Sequence, residues 1–167
     1  MLEDGIKAET VDKAAEEFGM PVGPIELADQ VGLDICEHVG DVLRAQLDTP
    51  VADIPEFVRQ KVKDGQLGKK TGQGFYKWKD GKAQKEEPGT PPSNAQDRLV
   101  LPMLNACATC LRKDIVSDTD ALDGAMIFAT GFAPFRGGPM HYAQSRGYDE
   151  IHGGLLLLEI TYVECFK

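Results

Sequence analysis

Four cysteines, three histidines and a basic glycine-rich loop are where this sequence could do chemistry. Cys107 and Cys110 form one C-x-x-C pair, while Cys36 and Cys165 stand apart. A structural zinc site needs four ligands, and no second pair stands at the required spacing. A redox C-x-x-C works at the start of a helix, where the helix dipole lowers the thiol pKa. This pair falls inside a helical pattern, so it is read as core packing, and no metal site is expected. The loop at residues 65–75 reads GQLGKKTGQGF. It fails G-x-G-x-x-G spacing, and no strong apolar strand precedes it. It also fails the P-loop pattern. Gly68 is followed by Lys69-Lys70-Thr71, and the earlier glycine of that pattern would fall on Lys63. No dinucleotide or other cofactor site is expected on this chain.

Charge is unevenly spread around a net of −9. Residues 1–56 carry 3 basic and 14 acidic side chains, residues 57–85 carry 9 and 2, and residues 86–167 carry 6 and 11. An acidic whole argues against nucleic-acid binding. The basic middle reads either as a solvated loop or as an attractor of a phosphate-bearing ligand. No run approaches the ~18 apolar residues of a membrane span. The N-terminus, MLEDGIKAET, has acids where a secretory leader carries positive charge. A cytoplasmic protein is expected.

The elements that must hold these residues are helical. Residues 1–5 read as the last turn of a helix whose beginning is missing, closed by Gly5. Thr10 is expected to cap the next helix, at about 11–18, with Asp12 in its first turn. The sequence at 19–24, Gly-Met-Pro-Val-Gly-Pro, breaks that helix, and Pro24 suits the first turn of another. Residues 24–47 read as one long helix or two in tandem, with Gly32 and Gly40 as bends. Pro50 and Pro55 punctuate the chain before a short helix at about 55–64. Asp80-Gly81 marks a two-residue turn between short strands. Residues 86–94, EEPGTPPSN, read as a linker. Helices follow at about 95–112, with Pro102 in its first turns, and at about 120–129, capped by Asp118 or Thr119. Two more open at Pro139 and near residue 148. The tail GGLLLLEITYVECFK looks strand-like at its leucines and at Ile-Thr-Tyr-Val.

The two halves repeat. LEDGIKAETVDKA at residues 2–14 aligns with LRKDIVSDTDALDGA at residues 111–125 once two residues are inserted. GPIELADQVG at 23–32 aligns with GPMHYAQSRG at 138–147 without a gap. A duplicated helical unit explains this, because the matched positions are caps and core. The second copy is preceded by a long helix at 95–112 and the first only by the stub at 1–4. The apolar face of the first unit must then be covered by another chain, by the second unit or by the last helix. Self-association as a homo-oligomer is expected.

FGMPVGPIELADQVGLDI at residues 18–35 and LGKKTGQGFYKW at 67–78 resemble the C-terminal domain of 3-hydroxyacyl-CoA dehydrogenases. GFAPFRGGPMHYA at 131–143 resembles the second copy of that domain. Two copies point to the alpha subunit of the bacterial multifunctional fatty-acid-oxidation enzyme. The resemblance covers about residues 2–151. It implies an all-α fold, with one helical unit plus hairpin at 1–85, the linker at 86–94, a second unit at 95–152 and an atypical tail at 153–167.

For the parent, the resemblance implies oxidation of a 3-hydroxyacyl-CoA to the ketone, with hydride passed to NAD. The family's histidine base and its orienting glutamate lie in a dinucleotide-binding domain that these residues do not include. His38, His141 and His152 are therefore read as surface or helix-packing residues, and no catalytic residue is expected here. The family's substrate-holding asparagine, followed by arginine, would fall before residue 1. Its place in the second copy is Asp97-Arg98, where Asp97 is expected to cap the helix or pair near Arg98. The resemblance leaves this chain one wall of the acyl-CoA cleft, made by Met20, Pro21, Gly23 and Pro24 with the aromatic Phe128. Lys69 and Lys70 are candidates for CoA phosphates. Acyl-CoA would be bound only with an NAD-binding domain present, and the chain alone would be inactive. The alternative is a free-standing acyl-CoA-binding or scaffold protein on the same fold.

Overall fold

A computed structural model describes residues 1–47 and 52–158. In chain order these form α1 (Ala8–Phe18), α2 (Pro24–Val31), α3 (Leu33–Gln46) and α4 (Glu56–Lys63). A 3-10 turn at Lys69–Thr71 and an antiparallel hairpin of β1 (Lys77–Lys79) and β2 (Lys82–Gln84) follow. Then come α5 (Ala95–Arg112), α6 (Thr119–Thr130), a 3-10 turn at Pro134–Arg136, α7 (Pro139–Arg146) and α8 (Tyr148–Leu157). Among the described residues the fold is all-α with one small hairpin. Two compact units divide the chain. Unit 1 comprises Met1–Lys13 and Val22–Thr90, and unit 2 comprises Ala14–Pro21 and Pro91–Lys167.

Unit 2 owns a full apolar core. Phe18 joins Val100, Leu101, Leu104, Cys107 and Ala108 of α5, together with Leu122, Phe132, Met140, Ile151 and Leu155. Phe18 meets the rings of Phe132 and Tyr142 edge-on, and its carbonyl accepts a 2.8 Å bond from Arg136 Nε. Unit 1 is built differently. Among its described apolar side chains only Val11, Leu33 and Tyr76 are buried, alongside Thr10, Asp12 and Asp29.

The repeat is present in the backbone hydrogen bonds. Ile6 N–H donates to Met1 and Gly5 N–H to Leu2, while Ile115 N–H donates to Cys110 and Asp114 N–H to Leu111. Both are Schellman closures, with Gly5 (φ 79°) and Asp114 (φ 52°) left-handed. Asp80 and Gly81 also both have positive φ, as the hairpin turn between β1 and β2 requires.

Several local readings change. α1 starts at Ala8, so Thr10 lies inside it and does not cap it; its hydroxyl instead accepts from Gly89 N–H at 2.9 Å. Asp12 accordingly sits past the first turn. α3 runs unbroken through Gly40, whose open side is filled by Ile54. Pro102 is eight residues into α5, deeper than the first turn. Leu155 to Leu157 are helical, because Leu155 joins the unit 2 core at helical spacing from Ile151. Asp97 lies in the first turn of α5, past its N-cap Asn94. It takes two hydrogen bonds from Arg146, at 2.5 and 3.0 Å. Pro50, Cys165 and the Ile-Thr-Tyr-Val stretch lie outside the described residues.

Candidate functional site

The loop between α1 and α2 is shaped by a buried carboxylate. Asp12 is 1% exposed. Its Oδ1 accepts from Ile25 N–H at 2.8 Å, and both its oxygens accept from Glu26 N–H. Pro24 opens α2, where two free backbone donors face the acid. A Cβ on Gly23 would lie 2.2 Å from Asp12, so glycine is required for this approach. Tyr76 Oη donates to Asp12 Oδ2 at 2.7 Å, and Lys85 Nζ stands 3.1 Å from it and 2.8 Å from Glu26. Burial beside Asp12 pushes the Tyr76 hydroxyl far above its ordinary value, so it stays a donor. Unit 2 repeats the device. Asp123 accepts from Met140 N–H at 2.7 Å and His141 N–H at 3.0 Å, and a Cβ on Gly138 would lie 2.4 Å from it.

A third buried acid organises the glycine-rich loop. Asp29, fully buried on α2, accepts from Phe75 N–H (2.8 Å), Tyr76 N–H (2.9 Å) and Trp78 Nε1–H (3.0 Å). Gly68 and Gly74 approach Asp29 so closely that a Cβ on either would stand 2.2 Å away. The glycines thus serve close packing of loop on helix. The lysines of that loop have partners. Lys70 Nζ pairs with Asp34 at 2.6 and 2.7 Å, which lowers the Asp34 pKa, and Lys69 Nζ lies 5.5 Å over the Trp78 ring.

The candidate substrate residues fall on both units. Gly23 and Pro24 form the α2 entry of unit 1. In unit 2, Met20 is partly buried against the core, and Pro21 lies beside Gly131, which caps α6 in the left-handed conformation. Phe128 projects from α6 at 92% exposure, with the described chain leaving its ring open to solvent. His38 on α3 and His141 on α7 are exposed, and His152 on α8 is half-buried. Cys107 is buried and its thiol is pushed up to about 12, chiefly by desolvation. Among the described residues no group of three His, Cys, Asp or Glu could hold a metal ion. No described helix is long and apolar enough to cross a membrane. The sequence reading missed Asp29 and Asp123 and misplaced Asp12. Asp12 and Asp123 occupy equivalent places in the repeat, each just after a buried apolar residue, and that was the available signal.

Comparison with known proteins agrees with the motifs. Residues 1–78 match the family described as 3-hydroxyacyl-CoA dehydrogenase, C-terminal domain. The chain is 36% identical over 166 residues to the fatty acid oxidation complex subunit alpha of Idiomarina loihiensis and 35% identical over 163 residues to that of Vibrio cholerae. Each match takes in 90% of this chain, and the chain spans 23% of the length of each relative. In fold it is similar to 3-hydroxybutyryl-CoA dehydrogenase from Escherichia coli K12, with a TM-score of 0.72. That match is 19% identical and covers 99% of this chain and 54% of the other. The dehydrogenase part of multifunctional enzyme 1 from C. elegans gives a TM-score of 0.57 at 25% identity, over 87% of this chain and 36% of that one. Residues 1–78 are therefore similar to the C-terminal domain of 3-hydroxyacyl-CoA dehydrogenases, and most of the chain is similar to part of the fatty acid oxidation alpha subunit.

Proposed function

We propose that the chain is the helical and self-associating part of an NAD-dependent 3-hydroxyacyl-CoA dehydrogenase of fatty-acid β-oxidation, and that it forms one wall of the acyl-CoA cleft. The match of residues 1–78 to the dehydrogenase C-terminal domain carries this reading. Met20, Pro21, Gly23, Pro24 and Phe128 supply the wall. Phe128 supports this role, because an open phenylalanine on a rigid helix is an apolar surface free to meet an acyl chain. Lys69 and Lys70 supply positive charge for CoA phosphates, with Asp34 competing for Lys70. NAD, the histidine base and its carboxylate partner belong to a dinucleotide-binding domain, so the chain alone turns nothing over. The enzyme works in the cytoplasm, and the chain self-associates through its exposed apolar side chains.

The test joins this chain to the dinucleotide-binding domain of a relative and follows NADH loss with acetoacetyl-CoA. Turnover is expected from the joined protein and none from the chain alone. In the joined protein, Phe128→Ala should raise KM. NADH turnover by the pure chain would refute the proposal. Calorimetric binding of acetoacetyl-CoA to the chain alone at micromolar affinity would favour a free-standing acyl-CoA-binding protein. Light scattering that returns the mass of one chain at micromolar concentration would refute self-association.

A further inference from the structure

Residues 57–85 carry nine basic side chains. Five of them are held by oxygens of the protein. Arg59 pairs with Glu37 and Asp41, Lys63 with Glu56, Lys70 with Asp34, and Lys85 with Asp12 and Glu26, while Lys61 donates to the Gly74 carbonyl. The other four, Lys69, Lys77, Lys79 and Lys82, gather at the hairpin, and among the described residues none of them forms an ion pair. Asp80, in the turn itself, pairs with none of them. Lys69 holds its ammonium 5.5 Å over the Trp78 ring, and its Cε would stand 3.9 Å from a Cβ on Gly81.

The register of the hairpin sets three of these lysines on one face. Lys77 lies opposite Gln84 and Lys79 opposite Lys82, whereas Trp78 and Ala83 take the other face, where the indole N–H donates to Asp29. Lys77 and Lys79 stand roughly 7 Å apart along β1, and Lys79 and Lys82 about 5 Å apart across the ladder. All three are exposed. Like charges directly opposite each other destabilise a hairpin, and no carboxylate of the described chain offsets them. An anion seated between them would. The chain as a whole carries −9, which repels a long polyanion such as nucleic acid and favours a compact one.

We propose that Lys77, Lys79 and Lys82, with Lys69 beside the turn, seat the diphosphate and 3′-phosphate of the acyl-CoA thioester, an inference that rests on the dehydrogenase reading above. Lys70 adds little, because both Asp34 oxygens hold its ammonium, at 2.6 and 2.7 Å. The seat belongs to unit 1, as does the α2 entry. Tyr76 Oη donates to Asp12, which holds the amides after Gly23-Pro24, and Lys77 follows Tyr76 directly. From Tyr76 to Lys79 the strand covers roughly 10 Å. An extended pantetheine arm bridges a span of that order, so a thioester against Gly23 and Pro24 can lay its phosphates on the hairpin. Each contact is exposed and small, and the seat works by number.

The test compares two substrates on the full chain joined to the dinucleotide-binding domain of a relative. One is acetoacetyl-CoA. The other is acetoacetyl-pantetheine, which keeps the thioester and the arm and has no phosphate. Lys77→Gln, Lys79→Gln and Lys82→Gln made together should raise KM for the CoA ester about tenfold, at about twofold per contact. They should leave kcat, and KM for the pantetheine ester, unchanged. Lys77→Arg, Lys79→Arg and Lys82→Arg made together should restore KM, because the charge is kept. Added salt should raise KM for the CoA ester in the unaltered protein and less so in the Gln variant. Trp78 emission should be the same in the Gln variant, since Asp29 holds the indole from the other face, so a raised KM reports lost charge and not a lost fold. In the chain by itself, labelled with ¹⁵N, adenosine 3′,5′-bisphosphate should shift the amide resonances of residues 77–82. No shift there up to about 10 mM overturns the seat. So does turnover of both esters with KM for the CoA ester unmoved by the Gln changes, or with both KM values raised alike, and either result leaves the dehydrogenase reading standing. Turnover of neither ester overturns that reading, and the seat with it.

Discussion

Replacing Asp29 by alanine removes one acceptor from three donors at once. The backbone N–H of Phe75 and Tyr76 and the indole N–H of Trp78 all end on its carboxylate at 2.8–3.0 Å. A hydrogen bond to a charged group is worth about 1.5–3 kcal/mol, and a buried donor left unpaired costs about 1–3 kcal/mol. The three do not add in full, because the Phe75 amide is only partly buried and can find water once the loop shifts. We expect a net loss of about 3 kcal/mol for Asp29→Ala and about 2 kcal/mol for Asp29→Asn, whose amide nitrogen faces donors but whose oxygen still accepts. Trp78 is the single tryptophan of the chain. Its emission therefore reports this contact directly. Urea titrations followed by fluorescence should show an earlier, red-shifted transition for the alanine variant. A shift under about 1 kcal/mol with unchanged emission would refute the view that Asp29 anchors the loop.

Gly138→Ala places a Cβ 2.4 Å from Asp123 at φ 106°, and Gly23→Ala places one 2.2 Å from Asp12. Each should cost about 2–4 kcal/mol by calorimetry, since overpacking adds to a lost helix-start bond and, at Gly138, to backbone strain. Cys107, buried with its thiol pushed up to about 12, should resist iodoacetamide at pH 8 until the chain unfolds, as peptide mass spectrometry will show. The Asp118 carboxyl lies below its usual value of 3.8, first because Ala121 N–H donates to it and then because Ser117 does. A depressed folded pKa stabilises above the unfolded value and is lost as pH falls through the folded one. Unfolding midpoints of the unaltered chain and Asp118→Ala should therefore differ at neutral pH and converge below pH 3.8.

Helix positions were legible because caps and breakers are local. Pro24 and Pro139 open α2 and α7, Gly131 closes α6, Asp118 caps it, and Asp80-Gly81 turns the hairpin, each through its own backbone preference. What stayed hidden depends on tertiary partners. Thr10 read as a cap because threonine before an apolar run is a common helix start, whereas a contact with Gly89 seventy-nine residues on decides its role. The leucines at 155–157 read as strand because a short apolar run has no period of its own; Ile151 and the core of α5 supply it. The basic residues of the 65–75 loop left a phosphate-bearing ligand open. Gly68 and Gly74 of that loop pack on Asp29, an acid whose role could not be seen before the loop was laid on α2.

The three buried acids explain why one duplicated frame serves two differently finished units. In unit 2, Asp123 binds the α7 start through two backbone amides, and this suffices to seat a Gly-Pro turn. In unit 1, Asp12 does the same for α2 and also takes Tyr76 and Lys85, which the hairpin segment delivers. Asp29 then fixes that same segment through Tyr76 and Trp78. Tyr76 thus belongs to both networks, donating its hydroxyl to one acid and its amide to the other. The hairpin is in effect a strap that ties α1 to α2 where unit 1 has few buried apolar side chains to do so. Removing only the Tyr76 hydroxyl, by Tyr76→Phe, should separate the two roles. The Asp29 contacts, read by Trp78 emission, should persist while Asp12 loses a donor and stability falls by about 1–2 kcal/mol. Loss of the Trp78 signal together with that stability would mean the strap acts as one unit and the two acids are not separable.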